Sequence, residues 1–258
     1  MTQSVSFDRA ADYYDATRGF PPGVETEVVQ AFVGAGSLTS SHRVFEIGVG
    51  TGRIALPLSP HVGEYVGVDI STAMMDKLRA RMDSHPIRLM QADAAHLPLA
   101  SGAFDAAVAV HVFHLVGDAA AVLREVARAL RPGARLLHGW NSEFEGDPLR
   151  ELFNRAAGVE ERLAYHSRGV LPAHGWTADG DEVRITYSSQ RTARQLRDAL
   201  QNRIWSACWK LTDTQLATGL DALDAHIAAE KLDLDQSIIR QGGFTVQAYA
   251  PPLNDPDR

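Results

Sequence analysis

Between residues 43 and 140, short apolar runs alternate with stretches whose apolar positions recur every three or four residues. The runs predict five buried strands: Arg43 to Gly48, Glu64 to Asp69, Ile87 to Ala92, Phe104 to Val110 and Ala134 to Trp140. The periodic stretches predict the helices between them, reaching about Pro60, then Thr72 to Met82 with Ser71 as N-cap, then Ala119 to Arg131, stopped by Pro132-Gly133. Strands that are apolar almost throughout, separated by helices, specify a parallel sheet covered on both faces. Before the first strand, residues 6–36 read as two helices, broken at Gly19-Phe20-Pro21-Pro22, the second from Val24 to Val33. Beyond Trp140 the regularity changes. A helix is expected over Pro148 to Ala157 and an alternating strand over Glu182 to Tyr187. A long helical region starts at Thr192 and breaks near Thr212-Asp213, and a last strand spans Phe244 to Ala250.

The chemistry concentrates where the first strand turns into its helix, at Glu46-Ile47-Gly48-Val49-Gly50-Thr51-Gly52-Arg53. Glycines let a ligand approach the backbone, and a helix start offers free N–H groups and the positive end of a dipole. The dinucleotide fingerprint G-x-G-x-x-G is not met, because its third glycine position holds Arg53. A phosphate-binding P-loop is excluded because no lysine follows the glycines. Asp69 closes the second strand about 20 residues beyond the glycines, where a doubly wound fold places a ribose-binding acid. Asp93 follows the third strand, on the edge where open α/β sheets bind ligands. His111 and His114 follow the fourth strand, and histidine titrates near neutral pH, as a general base must.

The set Glu46, Gly48, Gly50, Gly52, Asp69 and Asp93, with Gln91-Ala92-Asp93-Ala94, Leu97-Pro98-Leu99 and the string Leu123 to Leu137, resembles the class I S-adenosylmethionine-dependent methyltransferases, in their small-molecule, quinone-methyltransferase-like branch. The resemblance implies a Rossmann-like doubly wound α/β sheet of seven strands, mostly parallel with an antiparallel last strand paired over residues 182–189 and 243–250. It implies one methyltransferase domain over 1–258, with an N-terminal helical cap (1–36), a cofactor-binding core (37–145) and a helical insertion (190–240) acting as an acceptor lid. It implies S-adenosylmethionine as cofactor, held by Tyr14, Arg18, Glu46, Gly48, Val49, Gly50, Gly52, Asp69, Ile70, Met74, Asp93, Ala94 and Val110. By the same resemblance, Asp93 meets the adenine amino group and the next N–H a ring nitrogen. Met74 is read either as packing under the adenine or as core. The Leu123 to Leu137 string is far from the chemistry and bears on fold more than on function. His114, then His111, are the candidate bases. The quinone-type relatives carry a histidine pair here, whereas Leu115 follows His114. Tyr13, Tyr14, Phe113, Trp140, Trp205 and Trp209 are candidate lining for the acceptor pocket.

The composition narrows the partners. The 258 residues carry a formal net charge of −7, and nothing in the composition marks a nucleic-acid binder, although net charge leaves a local basic patch open. No apolar run reaches 18 residues, so no membrane span is expected, and no charged start with an apolar core marks a signal peptide. The single cysteine, Cys208, forms no internal disulfide, and no histidine spacing indicates zinc, so a cytoplasmic, metal-free protein is expected, monomeric or homodimeric. The acceptor is expected to be a small molecule. Two other functions are weighed against methyl transfer: a nicotinamide-dependent oxidoreductase, opposed by Arg53, and a non-catalytic binder of S-adenosylmethionine or S-adenosylhomocysteine.

Overall fold

A computed structural model describes residues 19–82, 87–145, 147–159 and 166–252 of the chain. The expectations placed on Tyr13, Tyr14 and Arg18 fall outside these residues. Two compact units emerge, one built from residues up to 141 with 165–185 and 244–258, the other from 142–164 and 186–243.

In the first unit, strands β1 (Arg43–Ile47), β2 (Glu64–Asp69), β3 (Ile87–Gln91), β4 (Phe104–Val110) and β5 (Leu130–Glu145) alternate with helices. The helices are α1 (Val24–Gly36), α2 (Ala55–Leu58), α3 (Thr72–Arg79) and α4 (Ala119–Ala129). The sheet also takes in β6 (Thr177–Ala178), β7 (Val183–Thr192) and β8 (Ser237–Ala250), in the order β3-β2-β1-β4-β5-β8-β6, with β7 pairing β8. Pairings β1–β2, β2–β3, β1–β4 and β4–β5 are parallel, and β6 runs antiparallel to β8. This is the expected mostly parallel α/β sheet with an antiparallel edge, with the two-residue β6 beyond the seven strands anticipated. The strand order reverses between β1 and β4, and in such sheets ligands bind at the carboxyl ends of strands where it reverses.

Burial explains the apolar runs. Phe45, Ile47, Ala107, Ala109, Leu136 and Leu137 are all fully buried, as central parallel strands with both faces covered require. Helix α4 turns Val122 and Val126 inward and is capped by Asp118, whose carboxylate accepts the N–H of Ala121 at 2.9 Å. One boundary departs from expectation. Pro132-Gly133 does not separate helix from strand. Leu130 already pairs with Phe104, and the register then shifts so that Ala106 faces Arg135. The proline and glycine are absorbed in a bulge, with Gly133 at φ +81°.

The second unit holds residues 186–192 of β7 and 237–243 of β8 together with the helices α5 (Pro148–Ala156), α7 (Ala193–Gln201), α8 (Ser206–Trp209) and α9 (Asp213–Ala229), while α6 (His166–Ala173) belongs to the first unit. Leu149, Phe153, Leu196, Leu200, Leu223 and Ile227 form its core. The break expected near Thr212 is a cap: the Thr192 and Thr212 hydroxyls each accept the backbone N–H of a glutamine three residues on, and each threonine donates its own backbone N–H to that glutamine's side-chain oxygen. Gly219 brings α9 against α5, since a Cβ there would lie 2.5 Å from the Phe153 ring. The unit takes in 142–164 as well as the whole of the 190–240 insertion, and β8 starts at Ser237 rather than Phe244.

Candidate functional site

The glycine turn is fastened to β2 by its own backbone. Both Gly48 and Val49 donate N–H bonds to the Val68 carbonyl, at 2.8 and 3.1 Å. Gly48, Gly50 and Gly52 then take φ of +70°, +55° and +86°, the left-handed region that glycine alone visits without cost. A Cβ on Gly48 would press on Val112 at 2.9 Å, so the turn after β1 lies against the turn after β4. A Cβ on Gly50 would meet nothing nearer than Met74 Cε at 3.5 Å. A Cβ would fit there in ordinary contact, so Gly50 serves its left-handed backbone conformation.

Asp69 ties this turn to the end of β2. Its Oδ2 accepts the Gly50 N–H and its Oδ1 the Ser71 N–H, both at 2.8 Å. Ser71 caps α3 by accepting the Met74 N–H at 3.1 Å, and Ile70 beside it exposes 37% of its surface, an apolar face next to an acid. Met74 is buried beneath the turn, with only 3% exposed. Asp93 sits in a tight turn, its side chain accepting from Ala95 at 3.0 Å and its carbonyl from His96 at 2.9 Å. The N–H of Ala92 reaches the Asp69 carbonyl at 3.1 Å, which joins the two acids through one backbone bond. Ala94 and Val110 are partly buried.

Glu46 is nearly closed from solvent, and the Tyr65 hydroxyl donates to its Oε2 at 2.9 Å. Burial pushes its pKa up to about 8, with the Asp69 charge adding to the shift and the Tyr65 bond opposing it. The Tyr65 hydroxyl is raised by burial and by Glu46. Glu46 is therefore a neutral acid at pH 7, set under a turn whose outer acid, Asp69, is held by two N–H donors.

The histidines flank Val112. His111 has φ +53°, unusual for a side chain with a Cβ, and its ring lies edge-on to Phe244 at 6.5 Å. His114 is partly buried in the turn that Leu115 closes by donating to the Val112 carbonyl at 2.9 Å.

Phe113 and Trp140 are buried. Each is 4% exposed, and they pack at 5.3 and 5.0 Å against His138. Trp205 and Trp209 belong to the second unit. There Arg150 and Arg191 lie over the Trp205 ring at 4.6 and 5.6 Å, and Trp209 donates its indole N–H to the Arg203 carbonyl at 2.7 Å.

Sequence reasoning missed three residues. Tyr65 reads as one apolar strand position among several, and only its register beside β1 reveals the bond to Glu46. Arg53 registers only as a departure from a fingerprint. Its guanidinium carbon is 3.7 Å from the Phe20 ring centre and 5.6 Å from that of Phe244, and Nη2 is 3.4 Å from Asn141 Oδ1. His138 is fully buried with neither ring nitrogen hydrogen-bonded among the described residues, and burial lowers its pKa to about 3.

Among the described residues no group of three or more His, Cys, Asp or Glu could hold a metal ion, and no helix is long and apolar enough to cross a membrane. The residues present fit a nucleoside-bearing cofactor. The glycine turn presents backbone with no Cβ at positions 48, 50 and 52, Asp69 places a carboxylate beside it at the end of β2, and Ile70 offers an exposed apolar face.

Residues 45–138 match the family model described as a methyltransferase domain. The uncharacterized methyltransferase YcgJ of Bacillus subtilis is 30% identical over 198 residues, covering 76% of this chain and 73% of that protein. The ubiquinone/menaquinone biosynthesis C-methyltransferase UbiE of Syntrophotalea carbinolica is 34% identical over 177 residues, covering 66% and 69%. Among solved structures, YcgJ aligns with a TM-score of 0.56 at 21% identity, over 87% of this chain and 98% of that one. A Haemonchus contortus N-methyltransferase solved with phosphomonomethylethanolamine and S-adenosylhomocysteine aligns at 0.52 and 16% identity, over 95% and 58%.

Proposed function

The chain belongs to the class I S-adenosylmethionine-dependent methyltransferases, and from that premise we propose that it moves the methyl group of S-adenosylmethionine to a small-molecule acceptor. The observation that carries the cofactor half is the Asp69 carboxylate. It stands at the carboxyl end of β2, orders the glycine turn through Gly50 and the start of α3 through Ser71, and would accept from the adjacent ribose hydroxyls. Asp93 and the Ala94 N–H would face the base, and Ile70 would cover one side of it. Gly48, Val49, Gly50 and Gly52 would pass beneath the amino-acid portion, with Glu46 below them. Once bound, the cofactor supplies a methyl carbon already activated by a positively charged sulfur. The protein's part is then mainly alignment of donor and acceptor, which contributes ~7–11 kcal/mol in well-oriented reactions.

An acceptor that arrives protonated needs a base, and such a base adds ~10²–10⁴-fold. His114 is assigned that role, with His111 second, because both stand in the turn that follows β4, against the glycine turn. The relatives named as ubiquinone/menaquinone biosynthesis C-methyltransferases support a small-molecule acceptor.

Calorimetric titration with S-adenosylmethionine, S-adenosylhomocysteine and NADH tests the cofactor assignment. Both adenosyl compounds should bind the wild type, and Asp69→Ala should abolish that binding. NADH binding without a response to either would replace methyl transfer with the oxidoreductase reading.

A further inference from the structure

The string Leu123 to Leu137 has a task that its distance from the chemistry conceals. Two of its side chains, Glu125 and Arg128 on α4, hold the loop that runs from β3 to β4 and carries Asp93. Glu125 Oε2 accepts the Leu97 N–H at 2.8 Å, and Arg128 Nη2 donates to the Leu97 carbonyl at 3.0 Å, so one peptide residue is gripped at both ends. Arg128 Nη1 donates to the Leu99 carbonyl at 2.7 Å and to Ser101 Oγ at 3.1 Å. Its Nε and Nη2 donate to the two oxygens of Glu125 at 2.9 and 2.8 Å. A guanidinium has five N–H donors, and these contacts use all of them. The bonds to Glu125 and the Leu97 N–H hold the Glu125 carboxyl below its ordinary pKa, and Glu125 holds Arg128 above its own.

The anchored stretch is short. Ala92 is bonded to the Asp69 carbonyl at one end and Leu97 to Glu125 and Arg128 at the other. Between them lies the turn made by Asp93 with Ala95 and His96. Neither end can shift without moving the Asp93 carboxylate and the Ala94 N–H. We propose that Glu125 and Arg128 are positioning residues for the cofactor's base, and that they set the protein's preference for adenine by fixing Asp93 and Ala94. The proposal rests on the cofactor reading above.

The test compares binding of S-adenosylhomocysteine with that of S-inosylhomocysteine, which replaces the adenine amino group by a carbonyl. Arg128→Met should weaken S-adenosylhomocysteine about tenfold, the worth of one hydrogen bond of ~1.4 kcal/mol, and bring the ratio of the two affinities close to one. Arg128→Lys should not rescue it, because an ammonium lacks the planar fork. Glu125→Gln preserves an acceptor for the Leu97 N–H and serves where Arg128→Met folds poorly; it should reduce the ratio partway. In an Asp93→Asn background, Arg128→Met should change the ratio no further, which a general structural role would not produce. Val44→Ala, a truncation in the buried start of β1, supplies the control for stability alone. An unchanged ratio in both Arg128→Met and Glu125→Gln overturns the proposal and leaves the cofactor reading standing, as does an equal loss in Val44→Ala. A wild type that binds neither compound removes the cofactor reading, and this inference with it.

Discussion

Conformational stability should fall as pH rises from 6.5 to 8, and Glu46 should be the reason. Its pKa is about 8 in the folded protein against an ordinary 4.5. The folded state therefore keeps a proton that the unfolded chain gives up. The associated stability is fully present below pH 4.5 and is lost as pH climbs to about 8. Within that window each unit of pH costs ~1.4 kcal/mol. His138 works in the opposite direction. Its folded value is about 3 against 6.5, so its contribution is present above pH 6.5 and is lost as pH falls toward 3. Between 4.5 and 6.5 the two slopes offset each other. From 6.5 to about 8 only Glu46 acts, and that span of about 1.5 units gives a loss of ~2 kcal/mol. Urea unfolding of the wild type and Glu46→Gln at the two ends of the span measures it. Gln keeps the shape and an acceptor for Tyr65 but carries no proton to lose. The gap between the two proteins should change by ~2 kcal/mol across the span. Parallel curves, with the same gap at both pH values, would refute the placement of a neutral Glu46 under the glycine turn.

Further outcomes follow from other parts of the fold. Gly50→Ala should cost ~1–2 kcal/mol for its left-handed backbone and still fold, while losing cofactor binding. Gly52→Ala should cost more, since its Cβ would overlap the buried Leu78 and add ~1–3 kcal/mol of overpacking. Thermal melts should therefore rank Gly52→Ala below Gly50→Ala, and the reverse order would contradict the turn geometry. His114→Asn should slow methyl transfer to an acceptor found by screening and leave S-adenosylmethionine affinity unchanged; full turnover removes His114 from the mechanism. In the second unit, Asp147 caps α5 and pairs with Arg191 and with Arg240 Nη1 at 3.4 Å. Burial already lowers the Arg191 pKa to about 10. Asp147→Ala should destabilise that unit by ~3–5 kcal/mol, read as faster amide exchange in Pro148–Ala156; unchanged exchange would show the pair to be dispensable.

The parts legible in the sequence are those written locally. The turn from Glu46 to Gly52, the capping threonines at 192 and 212, and the apolar strands each follow from neighbouring residues, as backbone conformation and side-chain period demand. Asp69 and Asp93 were legible because a doubly wound sheet puts them at strand ends. The rest depends on contacts between distant residues. Phe244 meets Phe20 and Arg53, and Tyr65 meets Glu46, only after the strands are laid side by side. Trp140 is open in the sequence to either core or pocket lining, and only the sheet shows it buried beside His138. The bulge at Pro132-Gly133 hid the start of β5, because the pair that ends a helix also accommodates a register shift. Ser237 to Gly243, polar and ending in two glycines, gave no strand period, and its pairing with β7 comes from tertiary context.

The place of β8 in the sheet bears on how the protein is made. This strand is ordered next to β5, yet about 90 residues, most of them in the helical unit, are synthesised between the two. At ~5–20 residues per second, a nascent chain waits ~5–20 s after β5 before its sheet can gain this neighbour. During that interval β5 is an unpaired edge, and the site that Phe244, Val246 and Ala248 will fill with fully or almost fully buried side chains is open. Such a chain is vulnerable to aggregation in transit, and its yield should depend on translation speed through the helical segment and on chaperones that shield the waiting edge.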